Sequence, residues 1–249
     1  MNIQQDNIKW KKVNYLRQGQ SFNYDYQIWM NEPLASWDVY DYWEKERVLS
    51  MREHLKKGDV LFDIGTESGW CNLVYASMVG PENMVLIEPT PEFWPNIKAL
   101  WDKNYPHILP KGTYSGLFSN KTTDDRDINP YIVWPKDVEG DLIDKNSYKY
   151  IHEHGNVIPQ MTLDDYVLKT KINPNALTID TEGSELLILH GAENTLKSQS
   201  LKVWISEHDD MALRDYNVKK GQLETYMGSL GYKREYLAVD HEVHAYYHK

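Results

Sequence analysis

Short apolar runs recur along the chain, each stopped by glycine or an acid, with helical spacings of apolar positions between them. "DVLFDIG" (59–65), "NMVLIEP" (83–89), "NALTIDTEG" (175–183) and "LKVWISEH" (201–208) have the length and β-branched content of strands buried on both faces. "ILPKGTYSGLFS" (108–119) predicts a further strand after the second. Between them, "WCNLVYASMVG" (70–80), "PEFWPNIKALWDKN" (91–104), "SELLILHGAENTLK" (184–197) and "VKKGQLETYMGSLG" (218–231) each predict a helix. "MTLDDYVLKT" (161–170) adds a short one, with Thr162 as N-cap and Asp165 three residues on. "YKREYLAV" and "EVHAYYHK" form a closing hairpin around Asp240.

Strands alternating with helices imply a parallel, doubly wound α/β sheet with helices on both faces, and the hairpin adds an antiparallel element at one edge. The first 57 residues show little strand character. They predict an aromatic-rich helical segment (1–57) whose helix runs from Trp37 to Lys56, with Trp37, Tyr40, Val48, Met51 and Leu55 on one face and a stop at Lys56, Lys57 and Gly58. Residues 58–249 form the main domain, and the polar, turn-rich stretch 120–160 reads as an insertion over it. In open sheets of this kind ligands bind beyond the carboxyl ends of the strands. That rim gathers Asp63, Glu88, Ser115, Asp180 and Glu207.

Composition narrows the partners. A formal net charge of −10 argues against nucleic acid, whose binding rests on Lys and Arg. No apolar run approaches the ~20 residues that span a bilayer. The polar first residues have no signal-peptide core, and the single Cys71 suits a reducing compartment, so a cytoplasmic protein is expected. Rings with polar handles are frequent, and Tyr24, Tyr26, Trp29, Trp37, Tyr40, Tyr42 and Trp43 crowd the first segment. Such rings can stack on a sugar, but the simpler expectation is that they pack a helix onto the sheet.

Three motifs carry the chemistry. In "VLFDIGTESGW", Gly65 and Gly69 bracket a strand-to-helix turn without the dinucleotide-binding pattern, and Asp63 and Glu67 make it acidic. Such a loop repels a pyrophosphate and suits a cationic or neutral ligand such as S-adenosylmethionine. Glu88, ending the second strand, is placed to accept hydrogen bonds from ribose hydroxyls. In "ALTIDTEGSELLILHGAENTL", Asp180 and Glu182 leave the end of the fourth strand, while Glu185, and Glu182 as an alternative to a catalytic role, suit the helix dipole. His208 follows Glu207 beside Asp180 and is a natural base for a hydroxyl. A divalent cation held by Asp180 with Glu207 or His208 is a lesser alternative, and no metal is assigned. "HEH" at 152–154 lacks metal-ligand spacing for a helix.

Taken together, "FDIGTESGW", "LIEPTPEFWPNIKAL" and "IDTEGSELLILHGAENTL" resemble the FkbM family of S-adenosylmethionine-dependent methyltransferases. The resemblance covers roughly residues 58–208. It implies a class I methyltransferase fold, a Rossmann-like seven-stranded sheet with the last strand antiparallel, and O-methylation of a sugar, glycan or small metabolite. Glu67 stands where the family usually has Asn, and Thr178 where it usually has Lys before Ile-Asp. On this reading Asp63, Gly65, Glu67, Gly69, Glu88 and Asp180 hold the cofactor, with adenine near Ser115, Gly116 and Leu117. His208 or Glu182 takes the acceptor's proton, and Asp180 holds the cofactor's amino group or a substrate hydroxyl. A nicotinamide-dependent oxidoreductase and a non-catalytic nucleoside-cofactor-binding protein are the rivals. Oligomeric state is left open.

Overall fold

A computed structural model describes residues 8–15, 26–31, 44–126, 128, 134–135, 138, 158–239 and 242–249. Its strands are β1 (Trp10–Tyr15), β2 (Tyr26–Asn31), β3 (Leu61–Ile64), β4 (Met84–Ile87), β5 (Gly112–Tyr114), β6 (Leu117–Phe118), β7 (Gln160–Met161), β8 (Ala176–Ile179), β9 (Lys202–Glu207), β10 (Lys233–Val239) and β11 (Val243–His248). The helices are α1 (Lys45–His54), α2 (Cys71–Val79), α3 (Trp94–Asn104), α4 (Leu163–Thr170), α5 (Glu185–His190), α6 (Glu193–Ser198), α7 (Asp209–Tyr216) and α8 (Gln222–Ser229).

Seven strands form the main sheet in the order β10-β11-β9-β8-β3-β4-β5. β3 lies between β8 and β4 and pairs parallel with both, whereas β11 is antiparallel to β9 and β10. This is the expected α/β sheet with its closing antiparallel hairpin. The centre is buried on both sides because its strands are apolar throughout, and the pleat sorts their side chains between two cores. Leu61, Leu86, Ala176 and Trp204 face one core with α1, α2 and α3, while Phe62, Ile87, Leu177 and Ile205 face the other with α4, α5, α6 and α8.

Several boundaries differ from the sequence expectation. The first segment contains a β-hairpin, since β1 and β2 pair antiparallel and place Val13, Ile28 and Met30 in the first core. Asn31 and Trp29 also hydrogen-bond to Asn96 and Asn104 of α3, so packing outweighs the weak strand pattern. Helix α1 is shorter than predicted: Leu55 is already extended and the basic residues of its last turn are Arg52 and His54. Val48, Met51 and Leu55 are buried as expected; Trp37, Tyr40, Tyr24, Tyr42, Trp43, His152, His154 and Asp240 lie outside the described residues. So does most of 127–157.

The run 108–119 splits at Ser115 and Gly116, and β6 leaves the main sheet to pair with β7. The predicted helix 184–197 is two helices that part at Gly191, where a Cβ would sit 2.0 Å from the Ser119 carbonyl oxygen. Asp164 of α4 then accepts the amides of Asn194 and Thr195 and caps α6. Thr162 caps α4 through the Asp165 amide, as predicted. Helix α7, short and mostly polar, was not expected.

Candidate active site

Three central strands end in register, Ile64 beside Ile179 and Ile87, so the residues just beyond them share one rim. The alternation of the pleat then decides which acids meet. Asp63 lies on the face of Leu61, and Asp180 and Ser206 fall on the face of Thr178 and Trp204. Glu207, one residue further, is turned to the other face. It accepts from Arg234 Nη2 (2.9 Å) and the Tyr247 hydroxyl (2.6 Å) and takes no part in the cavity above the rim. The expected pairing of Glu207 with Asp180 is therefore corrected.

That cavity has a volume of about 540 Å³. Its walls carry seven carboxylates, Glu44, Asp63, Glu67, Glu88, Asp180, Glu182 and Glu242, against two cationic candidates, Arg47 and His208. Gly65 and Leu117 also line it, as do Phe93 and Trp70. Gly69, Ser115 and Gly116 do not. Ser115 faces Arg126 instead, which donates to its carbonyl at 3.0 Å. The glycines of the turn serve the fold first. At φ +91° a Cβ on Gly65 would sit 1.8 Å from the Asp180 carbonyl oxygen, and at φ +85° one on Gly69 would press on Ile97.

Each acid has a distinct setting. Asp63 is buried, its Oδ2 has no hydrogen-bond partner among the described residues, and burial pushes its pKa up to about 7 against the pull of Arg47. Glu88 is held by two amides: Glu67 N–H donates to Oε2 (2.8 Å) and Thr90 N–H to Oε1 (2.7 Å). Burial nevertheless pushes it up to about 7. Glu67 sits at φ +51°, the left-handed conformation that an Asn tolerates more readily, and burial and then Asp180 and Glu88 raise its pKa. Glu182 (φ +53°) is exposed at the cavity mouth.

Arg47 was not foreseen. From the first turn of α1 it reaches under the rim, where Nη1 donates to Asp180 Oδ2 (3.1 Å) and Ser206 Oγ (2.6 Å), and Nη2 to the Tyr75 hydroxyl (2.9 Å) and Glu44. Burial alone would raise the Asp180 pKa, but Arg47 and then His208 hold it below the usual carboxylate range. The one signal in the sequence was a charged residue beside the apolar positions Val48 and Met51 of a buried helix face.

His208 is gripped on both ring nitrogens. Nδ1 lies 3.0 Å from Glu185 Oε1, and Nε2 lies 2.9 Å from Glu242 Oε2 and 3.7 Å from Asp180 Oδ1. Burial works against the imidazolium, but the hydrogen bonds to Glu185 and Glu242 and the charge of Asp180 push the pKa up to about 11. These neighbours favour the imidazolium over the free base the sequence suggested, and they turn Nε2 toward Glu242 and Asp180. Glu185 does bind its helix N-terminus, accepting from the Gly183 amide at 2.9 Å. Glu242 was missed because it lies in the closing hairpin, far along the chain from every motif.

The profile of the methyltransferase FkbM domain matches residues 63–234, over half the chain. The chain belongs to the FkbM methyltransferase family. Among solved structures, an FkbM methyltransferase from Methylobacillus flagellatus is similar at 18% identity and a TM-score of 0.50. The match covers 79% of this chain and 44% of that one, so the chain spans less than half of that relative's length. A precorrin-6y C5,15-methyltransferase from Geobacter metallireducens follows at 13% identity and a TM-score of 0.47, over 82% of this chain and 86% of that one. No curated protein matches the chain. The FkbM-type sheet thus carries a carboxylate-lined cavity. Among the described residues no helix is long and apolar enough to cross a membrane.

Proposed function

We propose that the chain transfers the methyl group of S-adenosylmethionine to a hydroxyl oxygen of a sugar, a glycan or a small metabolite in the cytoplasm, without nucleic acid or membrane as partner. The observation that carries this reading is the charge of the cavity. Against Arg47 and His208, seven carboxyl groups ready to ionise beside a cation favour a ligand with an ammonium and a sulfonium over the pyrophosphate of a nicotinamide cofactor.

The residues fit that ligand by their chemistry. Asp63, with a buried oxygen that has no partner among the described residues, suits the ammonium group, and Glu88, oriented by two amides, suits the ribose hydroxyls. Leu117 offers the apolar contact for adenine. When bound, S-adenosylmethionine would supply an activated methyl group, and Glu182 at the mouth would take the proton of the acceptor hydroxyl. Asp180, fixed by Arg47 and Ser206, holds the acceptor side of the cavity in place.

Calorimetric titration of S-adenosylmethionine, with NADH in parallel, tests the reading. Micromolar binding of the former, weakened in Glu88→Ala, supports it. Binding of NADH instead would overturn it.

A further inference from the structure

The cluster around His208 resembles a cation site more than a simple ion pair. Asp180, His208 and Glu242 come from three separate places, beyond β8, between β9 and α7, and just ahead of β11, and offer ligand atoms all within 4.8 Å of one another. His208 Nε2 lies 2.9 Å from Glu242 Oε2 and 3.7 Å from Asp180 Oδ1. Oxygens and nitrogens bound side by side to one small octahedral cation lie about 3 Å apart, close to the 2.9 Å and 3.7 Å from His208 Nε2 to the two carboxylates.

The neighbours of the cluster orient it. Glu185 takes the Nδ1 side of the ring, which leaves Nε2 directed at the two carboxylates, the arrangement by which a carboxylate fixes the tautomer of a metal-ligating histidine. Arg47 and Ser206 both occupy Asp180 Oδ2, which leaves Oδ1 facing His208. All three residues line the cavity, so the remaining positions on a bound cation would open toward the acceptor.

We propose that Asp180 Oδ1, His208 Nε2 and Glu242 Oε2 bind one divalent first-row cation, of the manganese or iron type, at the acceptor end of the cavity. A neutral imidazole and two carboxylates carry two negative charges, which one dication neutralises, and the Nε2 proton is released to solvent. One imidazole among oxygens favours a first-row metal over magnesium. The open positions take adjacent oxygens, so the acceptor class is a compound with neighbouring hydroxyls. The methyl-transfer reading of the same cavity enters only this last step; cation binding stands without it.

The test uses the chelator-treated full chain with manganese alone, followed by paramagnetic resonance, and S-adenosylhomocysteine binding measured separately. One manganese bound per chain, with spin-echo modulation from a coordinated imidazole nitrogen, is expected. Glu242→Gln should weaken manganese at least tenfold, and Glu185→Gln should weaken it about as much while the modulation persists. Glu185→Gln should keep S-adenosylhomocysteine affinity within a fewfold. Should a variant fail to fold, the nitrogen modulation in the unaltered chain decides. Absence of bound manganese, or binding without imidazole modulation, would overturn the cation site. If the nucleoside bound in that case, the methyl-transfer reading would survive; manganese binding without the nucleoside would leave the cation site and remove that reading.

Discussion

Arg47 Nη1 stands 3.1 Å from Asp180 Oδ2, so a helix that precedes the matched family domain supplies the counter-charge for an acid at its centre. The guanidinium is buried and also touches Glu44, Ser206 and Tyr75. Removing one partner of a buried ion pair strands the others without compensation. Arg47→Met is expected to cost about 3–5 kcal/mol of unfolding free energy, read from urea melts. A loss below about 1 kcal/mol would show that water or rearrangement replaces the guanidinium.

The turn after β3 gives a sharper steric expectation. A methyl group on Gly65 would overlap the Asp180 carbonyl at 1.8 Å, and the residue has a φ of +91°. Gly65→Ala should destabilise by more than about 3 kcal/mol, from overlap and backbone strain together, and should lower the thermal midpoint accordingly. The contrasting Gly58→Ala, where nothing lies within 4 Å but φ is also +91°, isolates the backbone share and should cost about 1 kcal/mol.

Asp63 and Glu88 make stability depend on pH. Burial holds both near 7, above their values in the unfolded chain. A carboxyl whose pKa is higher when folded favours the fold fully only below its unfolded pKa, and that contribution is lost as pH rises through the folded value. The window is therefore about pH 4 to 7. The share from Asp63 is on the order of 4 kcal/mol at most. Urea midpoints of the free protein should fall across this window, and Asp63→Asn should flatten the slope. A midpoint that rises instead would refute the assignment.

The same two acids link ligand affinity to protons. A cationic ligand favours their charged forms, so S-adenosylmethionine should bind more tightly at about pH 8 than at about pH 6, with proton release. Calorimetry in buffers of different ionisation enthalpy reads that release directly. Glu88→Gln should lose about tenfold or more in affinity and lower the thermal midpoint, since its NH2 group would face one of the two amide N–H groups that the carboxylate accepts.

Strand order and rim were legible in the chain because four apolar runs, each ended by glycine or acid, fix both the buried sheet and the side on which Asp63, Glu88 and Asp180 emerge. The same alternation assigned Glu207 to the far face, had the pleat been followed one residue past Ser206. Arg47 and Glu242 were not legible. Their positions depend on how α1 and the closing hairpin fold back over the rim, and no local pattern encodes a contact across such separations. The β1–β2 hairpin escaped because β1 is mostly polar, although Ile28 and Met30 of β2 alternate inward.

The placement of β11 between β9 and β10 also sets an order of events during synthesis. β9 is made about forty residues before the strand that covers it, and its open edge stays without a neighbour until translation has run past residue 248. Glu242, which completes the cluster around His208, emerges in that same final stretch. On the ribosome the nascent protein therefore holds most of its cavity well before it can hold all of it, and chains halted short of β11 would present a bare strand edge to one another.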